Sequence, residues 1–246
     1  PSDHWIENEE AFSEDVQIAF EKATDQKSLI TLGIRPTFPN VGYGYIQYNT
    51  NERGPVFPVI EFTEKPNYAN AKKFLAAKNY VWNAGIFVWS VQAICDAFKE
   101  YQPQMHLLFM TGWDKLNTDK EKEFIDAQYQ HSENISIDYA ILEPSNQVCL
   151  IEASFDWNDL GSWGSLYDKL KKDENQNVII NATSLLKNAS GNMIRTANNK
   201  LVVIEGLKDY IVVDKEEVLL IFPKEKDQDI KKILTTLENT FGKTYS

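Results

Sequence analysis

Cysteine, histidine and methionine are scarce in this chain of 246 residues, at two, three and three. With only Cys95 and Cys149, and no Cys-x-x-Cys pair, a disulfide framework and a thiolate metal site are both excluded. Each cysteine sits in an apolar run, Ala93-Ile94-Cys95 or Val148-Cys149-Leu150-Ile151, which predicts two buried free thiols in a reducing compartment. His4, His106 and His131 are too scattered to form a zinc site. Basic residues are in deficit, 25 against 36 acids, and the formal net charge of −11 argues against nucleic acid as a partner. No apolar run approaches the ~18 residues of a membrane span, so no membrane partner is expected. There is no basic-then-apolar leader, and the cytoplasm is the expected location. Neither Gly-x-Gly-x-x-Gly nor Gly-x-x-x-x-Gly-Lys-Ser/Thr occurs, so two common phosphate cradles are missing.

What is present reads as a mixed α/β protein. Phe12, Val16, Phe20 and Ala23 recur near the helical period and predict a helix over 8–24. Leu29 to Ile34 is a short buried strand, and Tyr43 to Tyr48 and Val56 to Phe62 alternate as an antiparallel pair. Pro36 and Pro39 keep the segment before that pair irregular. A helix over 69–78 and a strand over 81–89 follow, then helices over 90–101, 103–112 and 119–130 and a strand over 147–154. The texture changes after about residue 172. Lys171 to Asn177 reads as a polar linker, and six short strands between Val178 and Phe222 predict a small stacked or meandering β-structure. A last helix, over 226–240, is expected to bury Ile230, Ile233, Leu234, Leu237 and Phe241. Two domains are therefore expected, 1–174 and a β-rich 175–246 ending in a helix.

Five segments place polar or glycine residues where packing alone does not ask for them. Asp3, in Pro1-Ser2-Asp3-His4, sits at a strand-to-helix turn where open α/β sheets bind ligands, or else serves as a cap. Gly44, in Gly42-Tyr43-Gly44-Tyr45-Ile46, lets a ligand approach the backbone, or marks a bulge. Glu64 and Lys65 precede Pro66: a carboxylate for sugar hydroxyls and an ammonium for a phosphate, or an exposed ion pair before a turn. Asn83 and Gly85 interrupt an apolar strand, and the amide must find partners in a ligand or in neighbouring backbone. In Asp156-Trp157-Asn158-Asp159-Leu160-Gly161-Ser162-Trp163, Ser162 reads as an N-cap, which leaves both aspartates unexplained. Carboxylates from separate strand ends, such as Asp3 and Asp159, can share a Mg²⁺ that also binds substrate phosphates.

In this order the five segments closely resemble bacterial mannose-1-phosphate guanylyltransferases, over roughly residues 1–165, and the tail resembles their small C-terminal β domain. The resemblance implies the C-terminal portion of a nucleotide-diphospho-sugar transferase domain, a Rossmann-like mixed sheet, followed by that β domain. It implies GTP and mannose 1-phosphate as substrates, with GDP-mannose and pyrophosphate as products. It assigns the metal, Mg²⁺, to Asp3 and Asp159, the sugar to Gly44 and Glu64, the sugar's phosphate to Lys65, and a mannose hydroxyl to Asn83 beside Gly85. Catalysis would be alignment and charge neutralisation, with no Ser–His or Cys–His pair. The family's glycine-rich, arginine-containing triphosphate loop and its guanine-reading residues are not in this sequence, so the expectation is an N-terminally truncated chain that is inactive alone. The alternatives are another sugar-1-phosphate nucleotidyltransferase and a non-catalytic module binding a sugar phosphate or a partner chain. A homodimer through the C-terminal β domain is also expected.

Overall fold

The structure, a computed structural model, describes residues 1–25 and 27–242. Asn8 opens helix α1 (Glu9–Asp25), its side-chain Oδ1 accepting from the Ala11 amide at 3.1 Å. The buried stripe of α1 runs through Ala19 and Ala23, with Phe12 and Val16 beside them. Phe20, predicted on that stripe, is exposed, because Ala19 takes the inward position next to it. There follow β1 (Leu29–Ile34), β2 (Tyr45–Tyr48), β3 (Val56–Thr63), α2 (Tyr68–Ala77), β4 (Tyr80–Val88), α3 (Val91–Tyr101), α4 (Pro103–Met110), α5 (Glu121–Tyr129), β5 (Val148–Glu152) and α6 (Trp163–Lys169).

The first five strands close on themselves in the order β1-β4-β2-β3-β5. β1 and β5 run parallel and the other pairs antiparallel, which makes the expected mixed sheet. Both faces of β1 are covered: Leu29 joins a core with Val81, Ile141 and Leu150, while Ile30 and Leu32 pack on the α1 side with Ala19 and Ile151. A strand buried on both faces reads as a continuous apolar run, as Leu29 to Ile34 does. Pairing of β1 with β4 slips between Thr31 and Gly33, which face Phe87 and Asn83, so β4 bulges through Gly85. Between α5 and β5 lies an element that periodicity did not predict. Asp138–Leu142 is a π-helical turn, closed by the Glu143 amide donating to the Asp138 carbonyl at 2.8 Å.

Cys95 contradicts its expectation. It is an exposed free thiol, because α3 turns Ala93 and Ala97 inward. Cys149 is half-buried, and burial raises its thiol pKa.

Contacts divide the chain into two compact units, Pro1–Ser2 with Ile6–Trp157, and Asp3–Trp5 with the chain from Asn158 onward. The second unit holds α6, β6 (Val178–Lys187), β7 (Met193–Glu205), β8 (Tyr210–Lys215), β9 (Val218–Pro223) and α7 (Ile230–Phe241). β6, β7 and β8 stack in parallel, and β9 returns antiparallel to β8. The six short predicted strands are therefore four. Ile180 and Leu185 belong to one strand that slips register near Asn181, and Ile194 and Val202 to another.

Stacking is fixed by two buried asparagines. The Asn177 Oδ1 accepts from both the backbone amide and Nδ2 of Asn192, each at 3.0 Å, and the Asn192 Oδ1 accepts from the Tyr210 amide at 3.0 Å. The Asn192 Nδ2 also donates to the Leu207 carbonyl at 2.9 Å. The expected linker is part of this structure, since the Asp173 carboxylate accepts from the amides of Asn175 and Asn177 and from the Asn177 side chain. Helix α7 differs as well. Ile233, Leu234 and Phe241 are exposed, and only Ile230 of its apolar stripe packs on the cluster around Met193 and Ile211.

Replacing the fully buried Asn192 by leucine removes the side-chain acceptor of the Tyr210 amide and the side-chain donor shared by the Leu207 carbonyl and the Asn177 Oδ1. Asn192→Leu is expected to destabilise the protein by about 3 kcal/mol or more. A urea unfolding midpoint equal to that of the parent would rule this ladder out as a structural support.

Candidate active site

In the first unit, β3 ends at Thr63 and the chain bends so that consecutive side chains share one side. Lys65 has φ +45°, in the left-handed region, and its Nζ lies 2.8 Å from the Glu64 Oε1. Strand alternation would have sent the two apart. Glu64 is nearly buried, at 9% side-chain exposure, whereas Lys65 reaches into solvent at 62%. The hydrogen bond to Glu64 raises the Lys65 pKa above the ordinary lysine value, and Tyr139 and Asp138 add to it.

Gly44, just before β2, lies against the same carboxylate. A Cβ there would fall 2.5 Å from the Glu64 Oε2 and 3.4 Å from the Asn83 Cβ. The Asn83 amide nitrogen donates to the Gly44 carbonyl at 2.8 Å. On the Asn83 side chain, Oδ1 accepts from the Gly85 amide at 3.0 Å and the Thr31 hydroxyl at 3.3 Å, and Nδ2 donates to the Asp138 Oδ1 at 3.1 Å. Gly85 reaches back two residues because it adopts φ +67°. The segment leading into β2 is held by edge-on aromatic contacts of Tyr43 with Trp82 and Trp157, and of Phe38 with Trp82. Gly44, Glu64, Lys65, Asn83 and Gly85 are thus brought together in one polar cluster.

The two candidate metal ligands belong to the second unit. An antiparallel bridge joins Trp5 and Asn158, with amide-to-carbonyl distances of 2.8 and 3.0 Å. That pairing sets His4 opposite Asp159, with Asp3 next in line. Burial lowers the His4 pKa below the usual value, while the charges of both Asp3 and Asp159 pull it upward. Asp159 bends back over its own turn: Oδ1 accepts from the Gly161 amide at 3.0 Å, and Leu160 between them has φ +49°. Among the described residues no group of three or more His, Cys, Asp and Glu is placed to hold a metal. Two hard carboxylates are nonetheless the share that Mg²⁺ takes from protein when phosphates and water complete its shell, so the donor set fits. Ser162 caps α6 by accepting from the Ser165 amide at 3.1 Å.

Asp156, left unexplained by the sequence, has a structural task. Its carboxylate accepts from the amides of Glu7 and Asn8, at 3.0 and 2.9 Å for Oδ1, and so anchors the approach to α1. Two acids of the polar cluster were missed, Asp138 and Glu143, the latter accepting from the Glu64 amide at 3.0 Å. Their only trace in the sequence is a pair of acids bracketing the apolar Tyr139-Ala140-Ile141-Leu142.

A closed mixed sheet carrying this cluster, followed by a parallel β-coil, defines an α/β domain with a β-helix-like appendage. Residues 1–176 match the family described as nucleotidyl transferase, and residues 188–237 the mannoseP isomerase/GMP-like beta-helix domain. The chain belongs to the nucleotidyl transferase family. It is similar to the alginate biosynthesis protein AlgA of Pseudomonas aeruginosa, at 32% identity over 97% of this chain and 50% of that protein. It is likewise 32% identical to a mannose-1-phosphate guanylyltransferase of Salmonella montevideo, over 96% of this chain and 51% of that one. The chain spans about half the length of the curated relatives it matches. A crystal structure described as mannose-1-phosphate geranyltransferase from Thermus thermophilus superposes with a TM-score of 0.83 at 26% identity, covering 97% of this chain and 68% of that chain.

Two glycines differ in what a side chain at their position would meet. A Cβ at Gly44 meets the movable tip of Glu64, whereas one at the buried Gly33 meets Val81 and, at 2.5 Å, the Leu150 Cδ1 of the core. Gly44→Ala is expected to leave the melting temperature nearly unchanged, and Gly33→Ala to cost about 1–3 kcal/mol by overpacking. Equal melting temperatures for the two variants would contradict this assignment.

Proposed function

We propose that this chain is the sugar-phosphate-binding part of a mannose-1-phosphate guanylyltransferase, which makes GDP-mannose and pyrophosphate from GTP and mannose 1-phosphate. The observation that carries the reading is the convergence of Gly44, Glu64, Lys65, Asn83 and Gly85 on one cluster. The names of relatives at about 30% identity support the same chemistry.

A phosphate oxygen of mannose 1-phosphate attacks the α-phosphorus of GTP. The bond from that phosphorus to the bridging oxygen breaks, and pyrophosphate leaves with its electron pair. The nucleophile is already an anion, so no general base is needed. What the protein must supply is alignment and relief of charge repulsion. Lys65, like any lysine, is a cation across the neutral range, Glu64 raises its pKa further, and its exposed head can meet the sugar's phosphate. Glu64 accepts from sugar hydroxyls, and Asn83 donates to one. Asp3 and Asp159 would hold Mg²⁺, which when bound shields phosphate charge and polarises the attacked phosphorus. The 246 residues alone are proposed not to turn over GTP, because they contain no glycine-rich, arginine-bearing triphosphate loop. A homodimer through the C-terminal β domain is proposed on the exposed apolar side chains Leu185, Leu201, Val203, Leu219 and Ile221.

The deciding assay incubates the full-length enzyme and mannose 1-phosphate with each nucleoside triphosphate. GDP-mannose from GTP is expected; its absence sinks the reading, and product with another triphosphate reassigns the base. In the same assay Lys65→Met is expected to lower kcat/KM for mannose 1-phosphate about 10²-fold or more. A raised lysine pKa stays charged below the ordinary value and loses its charge only above it. Activity is therefore expected to show no loss attributable to Lys65 as pH rises from 7 to about 10. Lysine titration within that window would contradict the role of Glu64. By sedimentation, a species of one chain mass would remove the homodimer.

A further inference from the structure

We propose that Asp138 and Glu143 are positioning residues of the sugar-phosphate site, acting as the two ends of one bracket formed by the π-helical turn between them. The proposal rests on the reading of that site given above. The Asp138 Oδ1 accepts from the Asn83 Nδ2 at 3.1 Å, and the Glu143 Oε1 accepts from the Glu64 amide at 3.0 Å. One short segment therefore holds both groups on which the sugar would be read.

The π-turn is what makes this reach available. In an α-helix, residues five apart point about 140° away from each other. Opening the turn to the Glu143-to-Asp138 hydrogen bond brings these two back toward one side. Between them Ala140, Ile141 and Leu142 are buried in the main core and anchor the bracket, with Asp138 half-buried and Glu143 exposed at its ends. Wide turns of this kind recur at functional sites.

At Asn83 the bracket decides what a ligand can meet. A backbone N–H can face only the amide oxygen, so the Gly85 amide fixes the flip of the side chain. Both acceptor positions of Oδ1 are then used, by Gly85 and Thr31, and one Nδ2 hydrogen goes to Asp138. A single donor is left to offer, beside the Glu64 carboxylate that meets the same Gly44. One donor next to one acceptor suits a sugar hydroxyl, which can accept from the first and donate to the second. At the other end, Glu143 holds the amide immediately before Lys65, whose φ of +45° keeps carboxylate and ammonium on the same side.

Calorimetric titration of the full-length protein with mannose 1-phosphate, and separately with inorganic phosphate, tests the bracket. Asp138→Ala is expected to weaken mannose 1-phosphate binding about tenfold, the size of one lost hydrogen bond, with no loss of phosphate affinity, since the charge removed near Lys65 is negative. Asp138→Asn, whose side-chain oxygen still accepts from Asn83, is expected to stay within about threefold of the parent. Glu143→Ala is expected to weaken both ligands, and Glu143→Gln to restore them. Parent-like binding by Asp138→Ala overturns the proposal. So does an equal loss for both ligands in Asp138→Ala with a lower melting temperature, which would make the side chain merely structural. A parent protein that binds mannose 1-phosphate no better than inorganic phosphate fails the site reading first, and the bracket with it.

Discussion

A primary amide inside a covered strand has four hydrogen-bonding capacities, and each left unmet costs about 1–3 kcal/mol. Asn83 imposes that constraint on the first unit, and the irregular features around it are ways of meeting it. β4 bulges and Gly85 takes a positive φ so that its amide can turn back to Oδ1. β1 slips register beside Thr31, which supplies a hydroxyl to the same oxygen. The helical region before β5 widens to a π-turn whose first residue takes the amide hydrogen. Two departures from regular geometry, the bulge between β1 and β4 and the π-turn, converge on one side chain, next to the carboxylate of Glu64. Regular packing would have made neither of them.

The second unit answers the same requirement entirely from within. Asn177 and Asn192 are buried, at 1% and 0% exposure, and their amides are spent on each other and on the backbone of neighbouring rungs. Successive contacts span 15 and 18 residues, so the stack tolerates rungs of unequal length provided the amide step is kept. That tolerance explains why no strict repeat is visible in residues 178–222. Asparagine thus has two settings in this chain, one buried with its amide fully engaged, the other half-buried with a hydrogen left over.

Much of the fold was legible because it follows from local chemistry. Alternation in β2 and β3, the cap at Ser162 and the apolar run of β1 each have a short-range cause. The glycine and polar residues of the cluster were legible as well, since nothing in a core asks for Asn83 or for an acid and a base before Pro66. What stayed hidden depends on distant partners. Asp156 looked like a candidate for chemistry until Glu7 and Asn8 were seen to donate to it. Lys171 to Asn177 is polar and reads as a linker, yet Asp173 and Asn177 consume their own polarity in a turn. Cys95 and the stripe of α7 were misjudged because apolar neighbours in sequence say nothing about which side of a helix is covered. The π-turn has no signature at the periods that distinguish helix from strand.

The reversal at β9 sets the length of the coil. Parallel rungs such as β6, β7 and β8 each expose a fresh row of amides and carbonyls, and such a ladder has no intrinsic last step. After Lys215 the chain turns through Glu216 and Glu217, with Glu216 at φ +50°, and Val218 pairs back on Lys215. The strand that follows runs the wrong way for a further parallel rung, and it carries no asparagine to continue the internal column. A two-residue turn therefore ends the parallel run at β8, because the strand it feeds closes that edge in the antiparallel sense.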